Sequence, residues 1–84
     1  LIIIDLSLNL IVNLKRDSFI HLKNSKLSWL NLEKNQIAYL DCYLFDYLTS
    51  LNILLLGENF IRKIETGCFN KLNKLTNLNL NKMV

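Results

Sequence analysis

The chain contains no proline, and only two glycines and two cysteines among its 84 residues. So little glycine leaves no room for a glycine-rich loop that cradles phosphate. No unbroken apolar run exceeds the length of Leu1–Ile4 or Ile53–Leu56, far short of the roughly 20 residues that span a bilayer. Neither cysteine sits in a CxxC or CxH spacing, so no metal site is expected. His21 is the sole histidine, with no nucleophile assignable to it. The carboxylates Asp41, Asp46, Glu58 and Glu65 are scattered and form no acid–base pair. No enzymatic activity and no cofactor are expected. A basic stretch followed by an apolar one, the mark of a signal peptide, is also missing. The chain opens at Leu1 directly into a patterned segment, so it reads as a fragment of a longer protein. Any membrane attachment would come through missing flanking segments.

What is present is apolar and periodic. Hydrophobic residues make up 51% and charged residues 20%, which excludes a disordered segment. The length allows one small domain, which buries only about 60–65% of its unfolded surface. The formal charge of +3 comes from scattered lysines that are not interleaved with aromatics, so no nucleic-acid partner is expected.

Aligning Leu27, Leu51 and Leu75 exposes a 24-residue period. Leu27, Leu30, Leu32, Ile37, Leu40, Phe45 and Leu48 recur as Leu51, Leu54, Leu56, Ile61, Ile64, Phe69 and Leu72, and Asn35 recurs as Asn59. From Leu1 the same template gives Ile4, Leu6, Asn9, Ile11, Leu14, Phe19 and Leu22, with Ser25 and Lys26 as a two-residue insertion before the next copy. A fourth copy begins Leu75, Leu78, Leu80 and carries Met83 in the asparagine slot. One domain over 1–84 is expected, with repeats 1–26, 27–50 and 51–74 and a partial copy 75–84.

The pattern LxxLxLxxNxIxx(L/I)xxxxFxxLxx, carried by those residues across the chain, resembles the leucine-rich repeat family. Its length and late phenylalanine are similar to the "typical" subclass found in Toll-like receptors, small leucine-rich proteoglycans and variable lymphocyte receptors. The resemblance implies a right-handed β/α-type solenoid with little helix. Short parallel strands would line a concave face, with loops and short turns on the convex face, and a protein ligand would sit on the concave side.

The residues support the same architecture on their own terms. Alternation in Trp29–Glu33 and Ile53–Gly57 puts the leucines on one side of a strand and the remaining residues on the other. No repeat can bury its apolar set alone, so neighbours must supply the other wall. Asn9, Asn35 and Asn59 follow the strand where the chain bends. An amide there can donate and accept, so a ladder of asparagines along the stack is expected. Phe19, Phe45 and Phe69 should form a second spine in the core. Cys68 sits in a slot expected to point inward, as do Leu44 and Ser18, whereas Cys42 lies on a variable convex loop. Their two-slot offset makes the approach of about 7 Å needed for a bridge uncertain, and both thiols are expected free.

The outward strand positions form three columns: Ile3, Trp29, Ile53, Asn77; Asp5, Asn31, Leu55, Asn79; and Ser7, Glu33, Gly57, Asn81. A loop column of Leu8, Lys34, Glu58 and Lys82 adjoins them. A tryptophan within an apolar patch on a water-facing surface is a common interface anchor. The expected partner-binding residues are therefore Trp29, Ile53, Leu55 and Ile3, with Asp5, Asn31 and Glu33 around them. The function expected is recognition of a protein by a receptor or secreted protein, at the cell surface or outside it. The alternatives are a matrix or adhesion spacer and a cytoplasmic scaffold. No N-x-S/T sequon occurs, which counts slightly against the extracellular reading.

Overall fold

A computed structural model of the chain describes residues 2–83. Leu1 and Val84, the expected first and last residues of the repeat array, lie outside the described residues. The elements run β1 (Ile2–Asp5), β2 (Asn13–Leu14), a 3-10 turn (Ile20–Leu22), β3 (Leu27–Asn31), β4 (Tyr39–Leu40), a second 3-10 turn (Cys42–Tyr47), β5 (Ile53–Leu55) and β6 (Asn77–Asn79). β1, β3, β5 and β6 form one parallel sheet in that order, and β2 pairs with β4 in a second. Each coil of chain therefore contributes one strand to the main sheet and returns through loops and 3-10 turns.

Period two builds the sheet. Leu30 and Leu54 point inward and are fully buried, whereas their neighbours Trp29, Asn31, Ile53 and Leu55 are half-buried on the outer face. The register sets Ile3 beside Trp29, Trp29 beside Ile53, and Ile53 beside Asn77. It shifts once, between Ile2 and Ile3, as β1 meets β3. There the Ser28 hydroxyl turns inward and donates to the Ile2 carbonyl at 3.3 Å.

The core is deepest where a coil has neighbours on both sides. Leu27, Leu32, Ile37, Leu44, Phe45, Leu48, Leu51 and Leu56 are all buried, whereas Ile4, Leu6, Ile11, Phe19 and Leu22 are only partly covered. Phe45 and Phe69 pack as a tilted ring pair with centroids 5.2 Å apart. Phe19 packs against the core but joins no ring pair among the described residues, so the phenylalanine spine holds two of the three expected rings. Ser18 corrects another expectation: it is exposed, and its hydroxyl accepts from the Lys15 amide at 2.9 Å.

The asparagine ladder is present and directional. Asn35 Nδ2 donates to the Leu32 and Glu33 carbonyls of its own coil and to the Leu6 carbonyl of the preceding coil, while its Oδ1 accepts from the preceding coil's Ile11 amide. Asn59 does the same with Leu56, Gly57, Leu32 and Ile37. Asn9 is exposed and, among the described residues, reaches only Leu6 and Ser7 in its own loop, on the edge strand of the described sheet. Met83 stands where the next asparagine would accept from Ile61, and its thioether offers only a weak acceptor.

The bend before each asparagine, and before Met83, uses a left-handed residue: Leu8, Lys34, Glu58 and Lys82 have φ of 57–58°. None is glycine, although this conformation costs an ordinary residue about 1–2 kcal/mol. It turns the amide toward the next coil, where Leu8, Lys34 and Glu58 donate to the carbonyls of Glu33, Gly57 and Asn81.

Cys42 and Cys68 are joined in a disulfide, with their α-carbons 5.0 Å apart, contrary to the expectation of free thiols. The slot offset misled because Cys42 opens a 3-10 turn. Two residues advance only about 4 Å there, against about 6.6 Å in a strand.

Candidate functional site

The outer face of the main sheet collects the expected recognition residues. Register pairs Ile3 with Trp29 and Trp29 with Ile53 in one row, and Asp5 with Asn31 and Asn31 with Leu55 in the next. Neighbouring parallel strands lie about 4.8 Å apart, so Ile3, Trp29 and Ile53 form one apolar strip with Leu55 at its side. Ile3 is 58% exposed, and Trp29, Ile53 and Leu55 are half-buried. The strip ends at β6, where Asn77 and Asn79 replace apolar residues.

The polar residues beside the strip are tied down locally. The Ser7 hydroxyl and amide both donate to Asp5 Oδ1, at 2.6 and 2.9 Å. These bonds hold the Asp5 carboxyl below its ordinary range. The stabilisation they give is present above the unfolded carboxylate pKa and is lost as pH falls through the lower folded value. Asn31 Oδ1 accepts from the Glu33 amide, and Asn79 Oδ1 from the Asn81 amide, both in the same geometry. Leu55 breaks this series, since it has no oxygen to offer Gly57.

Gly57 fits that break. A β-carbon on it would come within 3.1 Å of the Asn81 carbonyl, 3.2 Å of Glu33 Oε2 and 3.3 Å of Asn79 Oδ1. Side chains from the coils on either side thus close over a backbone without one, and Asn79 Nδ2 reaches Glu33 Oε2 at 3.5 Å. The alternation in the sequence marked Gly57 as outward but gave no sign that Glu33 and Asn79 meet above it.

A second surface was not anticipated. Around the disulfide, a groove of about 530 Å³ is lined by Arg16, Tyr39, Tyr43, Asp46, Glu65 and Lys71, among others. Its charges pair with one another or with close neighbours: Arg16 with Asp41 at 3.6 Å, Lys71 with Asp46 at 3.8 Å, and Lys63 with Glu65 at 3.8 Å. The Arg16 guanidinium also lies 4.7 Å from the centroid of the exposed Tyr43 ring. The Arg16 and Tyr43 contacts cross between coils, a signal that only the assembled stack provides. His21 is exposed.

The described residues contain no group of three or more His, Cys, Asp or Glu able to hold a metal. No described helix is long and apolar enough to cross a membrane. No curated protein matches the chain. The sequence model of the family described as "Leucine rich repeat" matches residues 25–82. Domains of that family generally mediate protein–protein interaction and are typically non-enzymatic. With the parallel sheet, the asparagine ladder and this match over most of its length, the chain belongs to the leucine-rich repeat family.

Proposed function

We propose that the chain is a protein-recognition module of a receptor or secreted protein, built from typical 24-residue repeats, with its ligand on the concave strand face. The observation that carries this reading is the strip Ile3–Trp29–Ile53 with Leu55, an apolar row on the outer face with a tryptophan at its centre. Large aromatic residues flanked by apolar neighbours and a polar edge are the usual anchors of protein interfaces. The Cys42–Cys68 bridge favours the extracellular or cell-surface setting over the cytoplasmic scaffold, since structural disulfides persist in oxidising compartments.

The test is a binding screen of the oxidised chain against immobilised extracellular proteins, with each binder titrated against two variants. Trp29→Ala should weaken binding about thirtyfold or more, the loss expected of an anchor carrying about 2 kcal/mol. Lys71→Ala, on the opposite surface, should leave affinity unchanged. Circular dichroism should show both variants folded. Normal binding by Trp29→Ala together with loss in Lys71→Ala would move the site to the groove around the disulfide.

A further inference from the structure

The distribution of charge narrows the chemistry of the partner. None of the outward positions in the three strand columns carries lysine or arginine, although the chain has ten such residues. The same positions carry two carboxylates, Asp5 and Glu33. The strand columns are therefore apolar and anionic on a chain that is cationic as a whole, with lysine entering only in the adjoining loop column, at Lys34 and Lys82.

The two carboxylates differ in how far they are already satisfied. Asp5 receives two short bonds from Ser7. Glu33 receives one bond at the 3.5 Å limit from Asn79. It takes part in no ion pair among the described residues, whereas Asp41, Asp46 and Glu65 on the opposite loops each have a cation within 4 Å. Glu33 is half-buried, held over Gly57 between neighbouring coils. A carboxylate placed this way gains most from a planar, bidentate donor.

We infer, resting on the strand-face reading above, that the partner is a protein segment that seats an apolar side chain on Trp29, Ile53 and Leu55 and delivers a cation, preferentially arginine, to Glu33. Four residues of extended chain separate Trp29 from Glu33, about 13 Å. The Glu33 carboxylate lies over Gly57, only two residues past Leu55, so the partner's apolar anchor and its cation are about two to four residues apart in an extended segment, or about four to nine apart along a helix.

A random-peptide display library, selected in parallel on the oxidised wild-type chain, on Trp29→Ala and on Glu33→Gln, tests this. Glu33→Gln removes the charge and keeps the acceptor for Asn79. The expected result is that wild type enriches peptides pairing an aromatic or aliphatic residue with arginine or lysine at that spacing. Trp29→Ala should fail to enrich them. Glu33→Gln should keep the apolar preference and lose the cationic one. The best peptide should bind Glu33→Gln about tenfold more weakly, and its affinity for wild type should fall as salt is raised. Selection of Trp29-dependent peptides without a cation, or a cation preference unchanged in Glu33→Gln, overturns the inference and leaves the strand-face reading standing. Peptides that bind Trp29→Ala as well as wild type, or no enrichment over Trp29→Ala, overturn both.

Discussion

At the scale of single residues, equal letters in equal slots do unequal work. Asn59 is fully buried and makes three donor bonds and one acceptor bond, two of the four to the preceding coil, whereas Asn9 is exposed and serves only its own loop. Asn59→Leu should destabilise the fold by about 1–3 kcal/mol, because it strands buried backbone groups. Asn9→Leu should change stability by no more than about 0.5 kcal/mol. Urea denaturation midpoints of the two variants check this, and equal midpoints would mean that the ladder adds nothing beyond a local turn. The spacing of the asparagines was legible in the sequence. Their direction was not, because it depends on which side of each coil a neighbour stands. Gly57 is similar: its place on the outer face follows from alternation, whereas the Glu33 and Asn79 side chains that close over it come from 24 and 22 residues away along the chain.

At the scale of elements, strands were easier to read than bends. Alternating leucines have one physical cause, burial of one face, and they place Trp29, Ile53 and Leu55 outward without any tertiary information. The left-handed residue at each bend left no trace, since leucine, lysine and glutamate occupy it. These residues are held there by the assembled coil, through amides that bond to the next one. Lys34→Val should therefore cost about 1–2 kcal/mol, since a β-branched side chain is least tolerant of positive φ. Lys34→Gly should be neutral or slightly stabilising, the relief of strain offset in part by greater unfolded-state entropy. Thermal melts of the pair measure the difference, and two equal melts would show that the bend carries no strain. The disulfide went unread for a related reason: a 3-10 turn shortens the path between slots, and nothing in the Cys42 neighbourhood distinguishes that turn from an open loop.

At the scale of the whole molecule, coils with two neighbours bury their apolar sets while the first and last coils are half-covered. The Cys42–Cys68 bridge spans 26 residues and ties two adjacent coils on the side away from the main sheet. In the chain-entropy account a loop of that length is worth about 3.5 kcal/mol, a large share of the stability available to a domain this small. Cys42→Ser/Cys68→Ser should lower stability by that order, measured as ΔG of unfolding in urea. Thiol titration of the denatured, unreduced wild type should find no free thiol, and a count of two would place the cysteines apart. The ladder has one more consequence, which appears during synthesis. Ile11 obtains its acceptor only from Asn35, made 24 residues later, and Leu32 its second donor only from Asn59. Each turn of the growing chain is thus finished by the turn made after it. A turn that has left the ribosome is therefore expected to complete its backbone bonds only after the following repeat has also emerged.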